Sequence, residues 1–306
     1  MSTLQTSKQP EPAAGDRRKR APLTAIILTF NEAENIGPCL QSLDWIDDVV
    51  LIDSGSTDDT VALAQQARPD VRIFTNAFED FGQQRNFALD HAEAKHDWIL
   101  FLDADERSNL AFAEAIQNAI ADPDGNVGFY LCYRNYFLGK WIKRCTMYPS
   151  WQLRLLKQGE VRYRKEGHGQ REVTQGPLDY LHAPYDHYGF SKGITDWIAR
   201  HNHYSSNEVE LIQSLQTKPL VLRDLVSSDA ILRRRCLKRL AARVGFRPLV
   251  RFVYLYFIRL GVLDGRAGFY FCLLRMSNDL NTTVKLVERR VGEPRVRPVG
   301  SSEELQ

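Results

Sequence analysis

Residues 98–105 read WILFLDAD, a short apolar run that ends in two aspartates, Asp103 and Asp105. An apolar run of this length, bounded by polar residues, is typical of a buried strand. Two earlier stretches follow the same pattern, LTAIILT at 23–29 and VVLID at 49–53. Strands that are apolar along their whole length occur in parallel sheets that are covered on both faces. The three runs therefore predict such a sheet at the centre of the fold.

Segments with helical spacing alternate with these strands. Apolar residues recur at helical intervals in four segments: 34–43, 58–67, 83–94 and 110–120. A further short strand is predicted at 71–74, and Thr57 and Ser108 are predicted to cap the second and fourth helices. The alternation indicates a Rossmann-like α/β fold, with a mostly parallel sheet and helices on both of its faces.

The composition excludes several classes of protein. The chain has 306 residues, of which 43% are hydrophobic and 25% are charged, close to the average of globular proteins. Forty basic and 38 acidic residues leave a net charge of +2, so no overall field attracts a nucleic acid and none is expected as a partner. The five cysteines are widely spaced and form no C-x-x-C pair, which favours reduced thiols in the cytoplasm over a disulfide framework or a zinc site.

The chain is expected to consist of a main domain, an extension and two tails. Residues 1–20 are polar and lack the apolar core of a signal peptide, so we expect a disordered tail there and another at 291–306. The main domain is expected at 21–228 and a helical extension at 229–290. No stretch reaches the roughly 18 uncharged apolar residues of a membrane span.

The extension begins with a strongly basic stretch. Residues 230–263 contain nine basic residues and no acidic one, and aromatic-rich runs follow. A solvated helix surface is the simpler interpretation, but it would normally mix both signs of charge. Basic residues beside aromatic ones are typical of a surface that lies on an anionic bilayer, whereas nucleic-acid binding would need aromatic residues interleaved with basic loops. We therefore expect a membrane-surface extension, with two short interfacial helices joined at Asp264-Gly265.

Polar residues follow each predicted strand, at the sheet edge where α/β proteins bind ligands. Asp103 and Asp105 have the spacing that suits Mg²⁺ or Mn²⁺ held together with substrate phosphates. Small residues follow Asp53 and precede a helix N-terminus, which offers unpaired N–H groups to a phosphate. Helix capping explains each motif alone, but four motifs at successive strand ends indicate a nucleotide-diphosphate site with a metal. The other members of this predicted site are Thr29, Asn31, Glu32, Gly55, Ser56 and Arg85.

Four stretches resemble the successive motifs of family 2 inverting glycosyltransferases with the GT-A fold. They are LTAIILTFNEAENI, VVLIDSGSTDDTV, QQRNFAL and WILFLDADE. Three later stretches are similar to the subgroup that contains the bacterial lipopolysaccharide core β-1,4-glucosyltransferase: YPSWQLRLLKQGEVRY, DHYGFSKGITDWIARHNHYSSNE and GVLDGRAGF. The resemblance extends over residues 22–280.

The resemblance implies roles for individual residues. Asp53 would contact the uridine, Asp103 the ribose or the diphosphate, and Asp105 the metal, which Asp103 and His187 would also approach. Arg154 is open between binding the diphosphate or acceptor and pairing with a neighbouring strand.

The catalytic base is where this sequence departs from the family. Family 2 members commonly have a Glu-Asp pair, and the core-glucosyltransferase subgroup a His-Glu pair, whereas this chain has EGHGQRE at 166–172. Glu172 is the first candidate, and Glu166 and His168 are the alternatives. Trp141 and Trp151 are open between stacking on a sugar and packing in the core.

The resemblance implies a metal-dependent hexosyltransferase that acts with inversion. It would transfer a hexose, with glucose as the first candidate, from a UDP-sugar to a saccharide on a lipid-anchored acceptor such as lipopolysaccharide core. The enzyme would be cytoplasmic and peripheral on the inner face of the cytoplasmic membrane. The alternatives are a polyprenyl-phosphate glycosyltransferase and an inactive nucleotide-sugar-binding membrane protein. A nucleotidyltransferase would have a Gly-rich basic loop where this chain has Thr29-Phe30-Asn31-Glu32.

Overall fold

A computed structural model of the chain describes residues 20–166, 169–243 and 246–292. The strands are β1 (Ala21–Thr29), β2 (Ile46–Asp53), β3 (Arg72–Thr75), β4 (Trp98–Asp103), β5 (Glu106–Arg107), β6 (Gly128–Phe137), β7 (Lys140–Trp141), β8 (Trp151–Lys157), β9 (Arg162–Glu166), β10 (Gly169–Val173) and β11 (Leu178–His187). The α-helices are α1 (Ala33–Gln41), α2 (Thr60–Ala67), α3 (Phe81–His91), α4 (Leu110–Ala121), α5 (Gly193–Thr217), α6 (Ala230–Ala241), α7 (Arg247–Val253) and α8 (Gly265–Val291). The expected tails at 1–20 and 291–306 lie almost entirely outside the described residues.

One large sheet organises the described strands. Its order is β3-β2-β1-β4-β8-β6-β11-β5, and β7 pairs with β6. β3, β2, β1 and β4 run parallel, whereas β8 runs antiparallel to both β4 and β6. β9 and β10 form a separate antiparallel pair. The predicted α/β class, with helices following the sheet toward the C-terminus, is therefore confirmed.

The register of the parallel strands brings their carboxyl ends to one edge. Thr29 at the end of β1 lies beside Asp53 at the end of β2, and Leu28 lies beside Asp103 at the end of β4. The central residues of these strands are fully buried, since helices cover both faces of a sheet with this connectivity. This packing fixes the polar strand ends in position relative to one another.

Two of the predicted helix caps are wrong. The Thr57 N–H donates to Asn31 Oδ1 at 2.8 Å in the preceding loop, and α2 begins only after it. At the fourth helix, Asn109 rather than Ser108 is the cap, because its side chain accepts the N–H of Phe112 at 3.1 Å. The residue at the N-cap position of α2 is Asp59, whose side chain makes no capping hydrogen bond.

The chain divides into two compact units. The first comprises Met1–Cys132 and Trp151–Asp186, and the second comprises Tyr133–Ser150 and His187–Gln306. Compactness does not show which segments fold independently, so the predicted boundary after residue 228 stays a prediction. Within the part of the chain that is described, no helix is both long enough and apolar enough to cross a bilayer. All five cysteines are buried, and none of them forms a disulfide bond.

In the second unit a single long helix follows the Asp264-Gly265 turn. α8 has 27 residues, so the prediction of a short helix after this turn is wrong, whereas α7 before it has 7 residues. The Asp264 carboxylate accepts the backbone N–H groups of Arg144 at 2.9 Å and Cys145 at 3.0 Å, which fixes the start of α8 within this unit. Gly265 has a φ of 68°, a conformation that glycine adopts without strain.

Candidate active site

Asp103 ends β4 within a network of buried charges. Its carboxylate oxygens accept hydrogen bonds from Arg154 Nη1 at 3.3 Å and Nη2 at 2.7 Å. Arg154 Nη2 also donates to Glu106 at 3.0 Å, and the other Glu106 oxygen accepts the N–H of Asp103 at 2.8 Å. Arg85 Nη2 lies 3.7 Å from Asp103 Oδ1. The Asp103 side chain remains 33% exposed, so its direction is fixed while one edge can still meet a ligand.

A β-bulge aims Arg154 at this network. Phe129 pairs with Leu155 and Tyr130 pairs with Leu153, which leaves Arg154 as the extra residue between two successive pairs of β6 and β8. Bulges re-aim side chains and are frequent beside active sites. In the structure Arg154 forms ion pairs with Asp103 on β4 and Glu106 on β5, and its contact with a diphosphate or an acceptor stays a prediction.

The two arginines of the network differ in their electrostatics. Burial alone would lower the pKa of Arg154, but the carboxylates of Asp103 and Glu106 raise it well above its ordinary value. For Arg85, burial lowers the pKa, and the positive charge of Arg154 lowers it further. The Arg85 guanidinium lies 5.6 Å from the ring centre of Tyr163, and burial raises the pKa of that phenol to about 12. Tyr163 is therefore a neutral hydrogen-bond donor at physiological pH.

Asp53 shapes the loop that follows β2. Its Oδ2 accepts the N–H groups of Gly55 at 3.0 Å and Ser56 at 2.8 Å, and its Oδ1 accepts the Ser56 hydroxyl at 2.5 Å. Gly55 has a φ of 87°, the left-handed region that favours glycine. Asp53 is only 3% exposed and its carboxylate is engaged within its own loop. The contact with uridine that the resemblance implies stays a prediction.

The loops after β1 and β2 are joined by hydrogen bonds. The Asn31 N–H donates to Ser56 Oγ at 2.8 Å, and the Glu32 N–H donates to Thr60 Oγ1 at 2.7 Å. From α3, the Gln84 amide donates to Ser54 Oγ at 3.1 Å. The structure thus brings together the first two predicted motifs and connects them to the helix that carries Arg85.

Thr29 lies buried at the same edge, where its register partner is Asp53. Its hydroxyl oxygen has no hydrogen-bond partner among the described atoms. A buried hydroxyl without a partner is costly, so this atom is a natural contact for a ligand group at the strand ends.

Three residues are candidates for the catalytic base: Glu172, Glu166 and His168. Glu172 is half-buried on β10, where it accepts a hydrogen bond from the hydroxyl of Tyr130. Glu166 ends β9, but its side chain lies outside the described atoms, and His168 lies outside the described residues. Glu172 is therefore the only one of the three whose contacts the described atoms define.

His187 belongs to the second unit. Its Nδ1 lies 2.7 Å from Asn135 Oδ1, and its ring packs edge-on against Tyr133 with ring centres 5.2 Å apart. These contacts orient the imidazole within that unit. Its predicted role near a metal stays a prediction.

The donor atoms at the end of β4 fit a divalent cation that is shared with substrate phosphates. Asp105 lies half-buried in the turn directly after Asp103. Among the residues that the structure describes, no group of three or more His, Cys, Asp or Glu side chains could hold a metal by itself. Mg²⁺ is usually bound through one or two carboxylates, with substrate phosphates and water completing its shell. Asp103 and Asp105, one residue apart in the sequence, are ligands of this kind, and the metal itself stays a prediction.

Three residues of this site were not expected from the sequence: Glu106, Tyr130 and Tyr163. Glu106 directly follows the two aspartates, so its position in the motif was a usable signal. Tyr130 and Tyr163 carry no such signal, because their proximity to Glu172 and Arg85 depends on pairing between distant strands.

Residues 24–172 match the family described as glycosyl transferase family 2. The matched segment runs from β1 to Glu172 and therefore includes the joined loops, the charge network and the Tyr130–Glu172 pair. This segment, a little less than half of the chain, is therefore similar to family 2 glycosyltransferases. The specific β-1,4-glucosyltransferase subgroup is a finer assignment that this match does not make.

Two relatives are similar in sequence to parts of the chain. A lipopolysaccharide core biosynthesis glycosyltransferase, LpsC of Rhizobium meliloti, is 33% identical over 147 residues, which is 47% of this chain and 54% of that protein. The glycosyltransferase SunS of Bacillus subtilis is 28% identical over 201 residues, which is 64% of this chain and 43% of that protein. The chain thus spans about half the length of these relatives.

Two solved structures align with the chain at low TM-scores and low sequence identity. Staphylococcus aureus TarS 1–349 aligns over 89% of this chain and 92% of that chain, with a TM-score of 0.41 and 15% identity. Glucosyl-3-phosphoglycerate synthase from Mycobacterium tuberculosis, in complex with Mn²⁺, UDP-glucose and phosphoglyceric acid, aligns over 37% of this chain and 44% of that chain. The TM-score is 0.31 and the identity 19%.

Proposed function

We propose that the protein is a metal-dependent inverting hexosyltransferase. It transfers a hexose, with glucose as the first candidate, from a UDP-sugar to a saccharide on a lipid-anchored acceptor such as lipopolysaccharide core. The observation that carries the proposal is the match of residues 24–172 to family 2, in a segment whose strand ends bring Asp53 and Asp103 to one sheet edge, with Asp105 in the turn after Asp103. The name of the relative LpsC, a lipopolysaccharide core biosynthesis glycosyltransferase, supports the choice of acceptor.

Each residue of the site has a defined task in such a reaction. Glu172 takes the proton from the acceptor hydroxyl while that oxygen attacks the anomeric carbon, and the bond to the diphosphate breaks on the opposite face. Proton removal by a positioned base typically accelerates a reaction about 10²–10⁴-fold. Asp103 and Asp105 would hold the cation, which when bound stabilises the charge of the leaving diphosphate. Arg154 and Arg85 keep the Asp103 carboxylate oriented.

The second unit supplies the surface that would meet a lipid-anchored acceptor. On α7 and the residues after it, exposed apolar side chains are Leu249, Val250, Val253, Phe257, Ile258, Leu260, Val262 and Leu263. Exposed apolar side chains that are concentrated in one stretch of the chain are typical of an interaction site. We infer that these residues, here called the apolar face, lie in the interface of an anionic membrane, which would make the enzyme peripheral on the cytoplasmic side.

Eight of the nine basic residues at 230–263 fall into two groups. Five are bonded within the second unit: Arg233, Arg239 and Arg243 donate to backbone carbonyls, and Arg247 and Arg251 pair with Glu208 and Asp279. Arg234, Arg235 and Lys238 are exposed on α6. These three supply the positive charge that an anionic lipid surface would attract.

The first experiment is to measure UDP release from a panel of UDP-sugars with Mg²⁺ or Mn²⁺, with and without a lipid-linked saccharide extract. Release from one sugar that the extract stimulates supports the transferase and names its donor. Stimulation by polyprenyl phosphate alone would favour that class of acceptor instead. UDP binding without turnover on any acceptor would leave a binding protein, and no UDP binding would overturn the proposal.

A further inference from the structure

Four aromatic side chains form a cluster on the first unit, on the three neighbouring strands β6, β8 and β11. We call it the aromatic platform, and its members are Tyr130, Trp151, Tyr180 and His182. The Tyr130 and Tyr180 rings are stacked, with centres 5.0 Å apart and planes inclined by 21°. Trp151 packs edge-on against Tyr180 and against His182, each with ring centres 5.0 Å apart. Each ring is therefore held in place by at least one other.

The platform is open to solvent although its rings are packed together. Tyr180 is 48% exposed, His182 is exposed, and Tyr130 and Trp151 are half-buried. Trp151 is therefore not completely buried in the core, and stacking on a sugar remains open to it. Rigid aromatic faces that remain accessible are suited to bind a ligand with an apolar face and polar edges.

The platform is joined directly to Glu172. The Tyr130 hydroxyl donates to the Glu172 carboxylate, while the ring of the same residue stacks on Tyr180. Burial and the Glu172 charge both raise the pKa of Tyr130, so the phenol stays protonated and remains a donor. A ligand that rests on the platform therefore lies beside the proposed base.

The platform also has a fixed spacing from the charge network, because both include a residue of β8. Arg154 contacts Asp103, and Trp151 precedes it by three positions on the same strand. A strand rises about 3.3 Å per residue and the bulge at Arg154 shortens this stretch, so the two residues are less than about 10 Å apart along it. That separation accommodates a donor sugar near Asp103 and a second sugar on the platform.

We propose that the aromatic platform is the subsite for the acceptor saccharide, and that it binds a pyranose ring whose attacking hydroxyl faces Glu172. This inference rests on the proposed function and specifies which surface of the first unit receives the acceptor. One face of a pyranose presents C–H groups of slight positive charge, which are attracted to the negative face of an aromatic ring. The sugar hydroxyls lie around its rim, where His182 and Glu172 offer hydrogen-bonding atoms.

The substitution Tyr180→Ala tests the platform, with Tyr204→Ala as the matched control. Tyr204 is 49% exposed, nearly the same as Tyr180, but it lies on α5 in the second unit, where its ring packs against His201 and His203. The probe is a soluble oligosaccharide released from lipopolysaccharide by mild acid. We expect Tyr180→Ala to raise the KM for this acceptor about tenfold with unchanged UDP affinity. Tyr180→Phe should restore the KM, and Tyr204→Ala should leave it unchanged.

Failure of the proposed function and failure of the acceptor subsite would give different results. If the wild-type protein does not bind UDP, the proposed function itself fails. If UDP binds and turns over but Tyr180→Ala leaves the acceptor KM unchanged, or weakens UDP binding equally, the platform is not the acceptor subsite. Saturation-transfer NMR on the wild-type protein gives a second readout that depends on no variant. Transfer from aromatic protons to pyranose C–H protons is expected, and its absence overturns the proposal.

Discussion

Arg154 connects strands whose carboxylates would otherwise repel one another. Its guanidinium bonds Asp103 through two nitrogens and Glu106 through one of them, and all of these contacts are within the first unit. Lysine could not reproduce this arrangement, because its ammonium is a point charge without the planar fork. The Arg154 side chain is 3% exposed and that of Glu106 is 4% exposed, so water can do little to replace a lost partner.

The substitution Arg154→Met should therefore strongly destabilise the protein. It leaves two carboxylates buried or partly buried without their main cation, and breaking a buried pair in this way typically costs about 3–5 kcal/mol. Urea unfolding followed by circular dichroism measures this free energy. Arg162→Met is the matched control, because Arg162 pairs with Asp90 at 2.5 Å but the two side chains are 52% and 44% exposed. The control should lose no more than about 1 kcal/mol, and equal losses would contradict the argument.

Glu172 makes a different prediction, because its replacement should affect the rate more than the fold. Glu172→Gln keeps the shape of the side chain and an oxygen that can accept from Tyr130, but it removes the capacity to take a proton. We expect turnover to fall by about 10²–10⁴-fold while the affinity for UDP is kept. Glu160→Gln, at an exposed turn position, is the control. An unchanged rate in Glu172→Gln would move the base to Glu166 or His168.

The residues of the strand ends show how far sequence reasoning reaches. Short apolar runs ending in Asp53 and Asp103 predict both the strands and the edge at which these residues meet, because parallel strands place their carboxyl ends together. The orientation of Arg154 was not predictable. It depends on a bulge in the pairing of β6 and β8, and no local pattern in either strand records that pairing.

Among the helices, α5 carries a half-buried histidine, His201, whose protonation is linked to folding. His201 stacks on Trp197 with ring centres 3.6 Å apart, and its Nδ1 lies 2.9 Å from the Trp197 carbonyl oxygen. Burial lowers the pKa of His201 from the ordinary 6.5 to about 4, and the nearby charges of Arg275 and Arg200 act in the same direction. The folded state therefore holds this imidazole neutral in a pH range where the unfolded chain protonates it.

Because of His201, the free energy of unfolding is expected to decrease as the pH falls. Above pH 6.5 the contribution of His201 is fully present, and it is lost as the pH falls from 6.5 toward 4, because the unfolded state then binds the extra proton. His201→Phe keeps an aromatic ring against Trp197 but removes this titration. The wild type should lose on the order of 2 kcal/mol relative to this variant between pH 7 and pH 4.

The measurement is a set of urea unfolding curves at several pH values. His203→Phe is the control, because His203 is exposed on the same helix and the substitution is identical. Parallel pH profiles for the wild type and His201→Phe would show that the imidazole is not held neutral by burial.

The C-terminal helices show why a turn is easier to predict than the helix after it. Asp264-Gly265 marks a real turn, as predicted, but α8 then continues for 27 residues. Its end is at Gly292, which has a φ of 66° and follows a last turn containing Arg289 and Arg290. These are ordinary stop signals. The error lay in assigning the aromatic run after Gly265 to a short interfacial segment.

The surface of the second unit carries less uncompensated positive charge than a count of basic residues indicates. Nine basic residues without an acidic neighbour in sequence predict an uncompensated patch, yet Arg251 pairs with the buried Asp279 and Arg247 pairs with Glu208. Their partners lie on α8 and α5, distant in sequence, so a window of the sequence could not reveal the compensation. What remains is a smaller basic group on α6 and a more extensive apolar face than the sequence indicates.

Binding to vesicles of phosphatidylcholine and phosphatidylglycerol tests the membrane proposal. Phe257 is 56% exposed on the apolar face. Burying such a ring in a bilayer contributes about 1.5–3 kcal/mol, so Phe257→Asp should weaken binding more than tenfold. The control is Leu110→Asp, because Leu110 is 70% exposed in the first unit and an aspartate is favourable at the start of its helix.

The charged and apolar contributions to that binding are separable. Each basic residue near an anionic surface contributes about 1 kcal/mol, and salt screens this attraction. Replacing Arg234, Arg235 and Lys238 with glutamine should therefore weaken binding about a hundredfold at low salt and little at high salt. Phe257→Asp should weaken binding at both. A wild-type protein that stays free of anionic vesicles at low salt would remove the membrane role, because the apolar face and the basic group would both have failed under the most favourable conditions.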